Sequence, residues 1–523
     1  MTRLLLSLLP ILWLACQPDK PTPFEQFLTT RPTTEYDLLI HHGTLIDGSG
    51  QPGYAADVLI GLDTIAFVGT VDTSLIKVDR IIDATGKVVT PGFIDMHSHG
   101  DPLTTPDFRN FLAMGVTTIS LGKDGSSPDY RNLGDWMQRV ADTVPSVNIA
   151  MFVGHGTLRM LSGIEYSPHP SEQQLQEMGR LLSENLSAGC FGMTTGLEYT
   201  PGTYASDEEL EYLATIVGER GKLITSHVRN EDDDAVEESI RELLRQGKHC
   251  AVHVSHLKVV YGRGESRAEE ILQLLDSARQ KGVVVSADVY PYTASYTGIG
   301  ILFPEWAKPP HDYVQVVATR RDELATFLRN KVNQRNGPEA TLLGTPPYAG
   351  KTLAQLATAQ DKPFEEILID KIKPGGASGA YFVMNDSLQA RFLRDSTVMI
   401  SSDGSPTARH PRGHGTFAKI IETFVVQEPQ LSLSEAIRKM TTLPARTMGI
   451  TDRGRVAAGM KADVLVFDPE QVRAIATYEA PLQLAQGFDV VIVNGEVAKE
   501  EKVFSENRYG RVLKSEESSS SRR

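Results

Sequence analysis

The chain has 523 residues, 41% of them hydrophobic and 23% charged, with a formal net charge of −14. That length exceeds one small core and implies two or three domains of ordinary globular composition. The acidic balance, with no block of basic residues, argues against a nucleic-acid partner.

At the amino terminus Arg3 precedes an apolar run from Leu4 to Ala15. The run is too short to span a bilayer as a helix. Its positive start and the small residue Ala15 read as an export signal over residues 1–16. Leu12-Trp-Leu-Ala-Cys16 resembles a bacterial lipoprotein signal, although Trp13 departs from the small or branched aliphatic usual there. That resemblance implies lipidation at Cys16 and a periplasmic protein that meets the membrane only through its lipid. Residues 17–35, with Pro18, Pro21, Pro23 and Pro32, read as a tether without packed structure. The two other cysteines, Cys190 and Cys250, sit in apolar runs and read as buried hydrophobes, although an exported chain leaves a bridge open.

Residues 36–90 alternate short strands with tight turns. Asp37-Leu-Leu-Ile40, Gly43-Thr-Leu-Ile46 and Asp57-Val-Leu-Ile60 flank Asp47-Gly-Ser-Gly50 and Gln51-Pro-Gly53. From residue 91 to 448 the rhythm becomes buried-type strands and amphipathic helices. Strands are expected at 93–97, 116–121, 148–153, 190–195, 223–227, 251–256, 283–289 and 398–402. Helices are expected from Ser171 to about Leu186, from Ser206-Asp207 to Gly221, over 233–245 and over 267–279, with caps at each visible end. Eight such repeats predict an α/β protein, a (β/α)8 TIM-type barrel. An open doubly wound sheet is the alternative, but no glycine-rich phosphate loop follows the first strand.

Residues 297–397 are too long for a bare loop. Helical patterns near 321–332 and 363–372 make this stretch an insertion before the last barrel strand, either a lid over the mouth or a plain helical excursion. After a helix near 434–440 the β rhythm returns over 449–513, in Gly454 to Phe467 and in Val490-Val-Ile-Val-Asn-Gly495. The two β ends are expected to pack as one composite small β-sandwich domain. Residues 514–523 read as a disordered tail.

Chemistry-bearing residues gather where the predicted strands end. His97 and His99 close the first strand at i,i+2, so both imidazoles share a face. His227 closes the fifth and His256 the sixth. Asp124, in Gly122-Lys-Asp-Gly125, follows the second, and Asp403 follows the eighth. Any one of these histidines would ordinarily be a satisfied core residue. Four histidines and two carboxylates at one end of a barrel point instead to a metal site, because active sites of this architecture gather at strand carboxy ends. Lys258 stands two residues after His256, Tyr290 two after Asp288 and Arg229 two after His227. Cations and a phenol at the mouth can hold a free carboxylate.

Gly92-Phe-Ile-Asp-Met-His-Ser-His99, Ser226-His-Val-Arg-Asn-Glu231, Ser255-His-Leu-Lys258, Asp288-Val-Tyr-Pro-Tyr292 and Ser402-Asp-Gly404 resemble an amidohydrolase-superfamily enzyme. More narrowly they are similar to the N-acyl-D-amino-acid deacylases, or D-aminoacylases. Val153-Gly-His-Gly-Thr-Leu-Arg159, Thr195-Gly-Leu-Glu-Tyr199 and His410-Pro-Arg-Gly413 fit the same family. The resemblance spans residues 36–513. It implies metal-assisted hydrolysis of an N-acyl amide, with one or two zinc ions or another divalent metal. The ligand sets it implies are Asp124, His227 and His256, and His97, His99 and Asp403. Many of these deacylases carry a cysteine thiolate where Asp124 stands; Lys123, next door, is the alternative bridging group. A carboxylate is a harder donor and discriminates less for zinc. The resemblance gives Asp403 the proton transfers and assigns Lys258, Tyr290 and Arg412 to the substrate carboxylate. His155 matches a family active-site residue. The substrate expected is a small N-acyl amino acid or short peptide. The alternatives are a dipeptidase for C-terminal D-residues, a hydantoinase- or dihydroorotase-like cyclic amide hydrolase, and a non-catalytic lipoprotein that binds wall fragments.

Overall fold

The computed structural model describes residues 21–31 and 33–516; the stretch read as an export signal, Cys16 and tail residues 517–523 lie outside the described residues. Between Pro91 and Ser402 the apolar runs form parallel strands, numbered here β1 (Phe93–Asp95), β2 (Val116–Leu121), β3 (Asn148–Met151), β4 (Val153–Gly154), β5 (Gly192–Gly196), β6 (Leu223–His227), β7 (Ala251–Val254), β8 (Val285–Val289) and β9 (Val398–Ile400). Every residue of β2, β3, β5 and β6 is buried. Burial of both faces explains why these strands show no in-out alternation of charged and apolar residues, but apolar residues mixed with small neutral Thr, Ser and Gly. They fall into a three-stranded sheet, β3-β2-β1, and a six-stranded sheet, β4-β5-β6-β7-β8-β9. Only Phe152 separates β3 from β4, and a parallel bridge pairs Ser98, after β1, with Gly404, after β9. All carboxy ends in each sheet therefore face one way.

The intervening helices start where hydrogen-bonding caps were legible. Ser171 accepts from Gln174 N in a capping box before Glu172–Ser187, and Ser206 accepts from Glu209 N before Asp207–Glu219. Leu181, Leu182 and Leu186 of the first and Leu210, Leu213 and Val217 of the second face inward. Among the described residues no helix is long and apolar enough to cross a membrane.

Strands from both chain ends share one seven-stranded sheet, in which Val88–Pro91 pairs antiparallel with Val464–Phe467. A four-stranded sheet built from Glu35–His41, Asp57–Gly61, Thr64–Gly69 and Lys77–Asp83 adds Leu38, Ile40, Val58 and Ile60 to the same apolar cluster as Val464, Val466, Val490 and Ile492.

Residues 295–381 carry a core of their own, including Ile299, Leu302, Leu324, Leu328, Leu343, Ile367 and Tyr381. Its helix Tyr313–Gln334 is longer than expected and bends at Arg320. Its three-stranded antiparallel sheet, ordered Ser295–Gly298, Ser378–Tyr381, Thr341–Leu343, gave no sequence signal, because the strands are short and rich in Gly, Ser and Thr.

Two expectations about the ends need correction. The stretch read as an unpacked tether contains the helix Pro23–Thr29, opened by a Thr22–Glu25 capping box. Phe24 is 2% exposed, with its ring 5.1 Å from that of Phe67. A count of prolines missed it because Pro23 lies in the first turn, where its missing N–H costs nothing. At the other end Ser515 is tied down: its N–H donates to Gly189 O at 2.9 Å and its hydroxyl accepts from Lys222 Nζ at 2.6 Å. Cys190 and Cys250 are free thiols.

Replacing Phe24 by Ala should destabilise the terminal β unit by about 3 kcal/mol, the usual cost of emptying a buried aromatic site. Urea unfolding followed by tyrosine and tryptophan fluorescence measures it; an unchanged midpoint would mean that the helix is not part of the fold.

Candidate metal centre

Short strands bring their following residues to one rim. His97 Nε2 lies 3.3 Å from Asp124 Oδ1 and 3.6 Å from Asp403 Oδ1. His99 Nε2 lies 3.5 Å from Asp124 Oδ2 and 3.1 Å from Asp403 Oδ1. His256 Nε2 is 3.4 Å from Asp124 Oδ1 and 2.9 Å from His227 Nδ1. Three donor sets result among the described residues, His97–His99–Asp124–Asp403, Asp124–His227–His256 and, on the outer side of His227, Glu198–His227–Glu231, each with its candidate atoms within 4.8 Å of one another. Asp124 belongs to the first two. Lys123 does not reach in this way: its Nζ lies 3.6 Å from the centroid of the Phe152 ring.

These side chains fit a bound divalent ion. His97 Nε2 and Asp124 Oδ1 are buried without a hydrogen-bond partner. Orphaned buried polar atoms are rare, and two of them facing each other across other nitrogen and carboxylate donors are the arrangement a cation satisfies. Backbone strain marks the same residues. Asp124, His256 and Asp403 have φ of 52°, 36° and 49°, in the left-handed region that non-glycine residues avoid at a cost of about 1–3 kcal/mol each. The His256 N–H is held by Asp288 Oδ1 at 2.7 Å and the Asp403 N–H by His97 O at 2.8 Å. After Asp124, a Cβ on Gly125 would come within 2.7 Å of Gly196 N.

A ring of carboxylates aims the imidazoles. Glu198 Oε2 accepts from His227 Nε2 at 2.9 Å, which leaves Nδ1 free to face the centre. Glu231 Oε1 lies 3.2 Å from His256 Nδ1 and 2.6 Å from Lys258 Nζ. Asp288 also accepts from His253 Nε2 at 2.7 Å and Ser401 Oγ at 2.6 Å. Asp95 accepts from His97 N at 3.2 Å and Ser402 N at 3.0 Å. His253 therefore turns toward the carboxylate of a neighbouring strand. Glu198 and Glu231 stood in recognisable motifs, but no spacing rule ties a glutamate to the histidine it orients.

These contacts favour the protonated form of two of the imidazoles and the neutral form of a third. Burial opposes charge on His99, yet its bonds to Asp124 and Asp403 push it up to about 9. Burial and Lys258 oppose charge on His256, but Asp403, Asp124 and Glu231 push it up to about 10. Burial lowers His97 to about 4, only partly offset by Asp124.

The centre opens into a cavity of about 230 Å³ whose lining includes Lys258, Arg412, Glu198, Tyr199, Asp232 and Arg335. Lys258 is bound to Glu231 as above. Arg412 Nη1 lies 2.7 Å from Asp403 Oδ2 and its Nη2 donates to Tyr296 O at 3.2 Å. Two expected substrate residues do not line this cavity. Tyr290 is fully buried beneath it, its ring 5.0 Å from the Arg412 guanidinium and 5.9 Å from Lys258 Nζ. His155 is sealed in a structural cluster, with Nε2 2.7 Å from Glu209 Oε1, and Arg159 Nη1 reaches Glu209 Oε2 at 2.6 Å. Its partner lies on the helix Asp207–Glu219, 54 residues away in sequence, so the local motif could not reveal it.

The model of the Amidohydrolase family matches residues 370–498. The chain is 34% identical to an N-acyl-D-glutamate deacylase of Alcaligenes xylosoxydans xylosoxydans, over 91% of this chain and 96% of that one. It superposes with a TM-score of 0.80 and 31% identity on an N-acyl-D-glutamate deacylase of Bordetella bronchiseptica solved with zinc and a phosphonate mimic of the tetrahedral intermediate, covering 92% of this chain and 100% of that one. A D-aminoacylase structure described for its binuclear metal centre gives a TM-score of 0.79 at 30% identity, with the same coverage.

Zinc binding should release protons and tighten by about tenfold to a hundredfold per pH unit between pH 7 and 9, because the ion displaces protons from His99 and His256. Calorimetry in buffers of different ionisation enthalpy reads the released protons, and a heat independent of buffer would contradict the assignment. Glu198→Gln should weaken zinc about 10–100-fold by loosening the hold on His227; competition with a fluorescent chelator measures it.

Proposed function

Since the chain belongs to the N-acyl-D-amino-acid deacylase family of amidohydrolases, we propose that it hydrolyses the amide bond of N-acyl-D-amino acids to a carboxylate and a free D-amino acid. The observation that carries this reading is Asp124, one carboxylate shared by two ligand sets, beside Asp403 and below a cavity with Lys258 and Arg412 in its wall. The same observations, with the Ser98–Gly404 bridge and the contiguity of β3 and β4, support a closed barrel flanked by a composite sandwich of the chain ends.

His227, His256 and Asp124 would hold one ion; His97, His99 and Asp403, with the shared Asp124, would hold a second. Zinc, or another divalent ion, supplies Lewis acidity there when bound: it polarises a carbonyl oxygen and lowers the pKa of water to ~7. The chain's own groups do the rest. Lys258 and Arg412 receive the α-carboxylate and fix the amide over the rim. Tyr290 supports them from beneath. Asp403 takes the proton from water and passes it to the leaving nitrogen. Burial alone would raise Asp403, but Arg412 and the neighbouring histidines hold it well below the usual carboxylate range. A substrate carboxylate that draws Arg412 toward itself relaxes that hold, so Asp403 becomes a better base only when substrate is seated.

A need for a free carboxylate disfavours the cyclic amides, and a paired base and ligand set is superfluous in a wall-binding lipoprotein. A dipeptide with a C-terminal D-residue presents the same carboxylate and amide and remains a second substrate type. The amino-terminal run ending at Cys16 supports a periplasmic, lipid-anchored placement of this enzyme.

Metal-replete protein should cleave N-acetyl-D-amino acids in preference to their L-forms, lose activity to chelation and regain it with zinc. Asp403→Asn should lower kcat by about 10²–10⁴ while zinc stays bound at His227 and His256. Turnover indifferent to chelation, or undiminished in the variant, would overturn the reading.

A further inference from the structure

We propose that Arg335 is a specificity-determining residue that receives a second carboxylate of the substrate, additional to its α-carboxylate; this rests on the deacylase reading above. Three cationic side chains line the cavity. Lys258 is on Glu231 at 2.6 Å and Arg412 on Asp403 at 2.7 Å. Among the described residues Arg335 has no carboxylate within ion-pair distance. Asp232 lines the same cavity, but its ion pair is with Lys331 Nζ at 3.5 Å.

Arg335 is nevertheless 2% exposed, and its Nε is buried without a hydrogen-bond partner. It follows the helix Tyr313–Gln334, with its backbone N–H on Lys331 O and Val332 O. Its guanidinium lies 4.9 Å from the centroid of the Tyr381 ring. The face of a ring compensates a buried cation only in part. Asp232 and the Tyr261 hydroxyl lie near enough to feel this charge, but neither is an ion pair with it; a cavity-lining guanidinium whose Nε has no partner fits one ligand chemistry best, a carboxylate taken by two N–H groups.

Arg335 does not serve the α-carboxylate. That group is two bonds from the scissile nitrogen and must stay among the metal ligands, where Lys258 contacts His256 and Arg412 contacts Asp403. Arg335 has no such contact; it comes from the inserted region, whose Ile301 and Thr297 share the wall with it. The cavity of about 230 Å³ has the donor residues and Arg335 in one continuous lining, so an arm of a ligand seated at the donors can reach Arg335. The second carboxylate belongs either to the amino-acid side chain or to the acyl arm. A neutral arm would leave the cation buried and unpaired.

The test compares acids with neutral isosteres on the zinc-loaded full chain. N-acetyl-D-glutamate against N-acetyl-D-glutamine probes the side-chain arm. N-succinyl-D-leucine against N-butyryl-D-leucine probes the acyl arm. In one of the two pairs kcat/KM for the acid should exceed that for its partner by about tenfold or more. Arg335→Gln should cut the acid's kcat/KM by about 10–100-fold, chiefly through KM, and leave the neutral partner within about twofold; Arg335→Lys should recover part of the loss. Equal turnover of acid and neutral partner in both pairs by the unmodified protein overturns the assignment while the deacylase reading stands, and needs no variant to fold. An equal loss on acid and neutral partner in Arg335→Gln also overturns it. Cleavage of no N-acyl-D-amino acid at all fells the deacylase reading and this inference with it.

Discussion

The constraint on which the site depends is that a single carboxylate, Asp124, must face two groups of imidazoles at once. One oxygen looks toward His97 and His256 and the other toward His99. Reaching that position forces Asp124 into the left-handed region, and His256 and Asp403 share its conformation. Together these backbones store roughly 3–9 kcal/mol of local strain, offset by bonds from Asp288, the His97 carbonyl and the glycine turn that follows Asp124. A carboxylate in place of a thiolate also changes what the centre prefers. It spans two positions readily, but as a hard donor it gives up some selectivity for zinc over other divalent ions.

The architecture divides the labour. The parallel strands supply the clustered histidines and carboxylates, because residues after strand carboxy ends converge on one rim. The inserted region packs its own core and sends Ile301 and Arg335 into the cavity wall. It therefore supplies cavity wall and none of the clustered donor residues.

Much of this was legible in the sequence for identifiable reasons. Strands buried along their whole length carry no charged residue in mid-run, and β2 and β6 fall at the expected limits; Ser171 and Ser206 announced their helices through cap chemistry. The convergence of His97, His99, His227, His256, Asp124 and Asp403 was legible because each follows or closes a strand at the same end of the sheets. What could not be read were pairings across the chain. Glu198 aims His227, and Glu209 captures His155, through contacts between separate elements. Arg335 reaches the cavity only because a region with its own core folds back over the rim. The helix Pro23–Thr29 was masked by the prolines around it, one of which starts it.

The seven-stranded sheet made from both chain ends has a consequence for biosynthesis. Pro91 pairs with Val464, so roughly 370 residues must be made before the first partner of that edge exists. At ~5–20 residues per second, synthesis alone separates the two partners of that edge by roughly 20 to 75 seconds, wherever the chain folds. The terminal unit is thus obliged to mature last, after its own amino-terminal half has spent that interval as an adhesive surface that something else must shield.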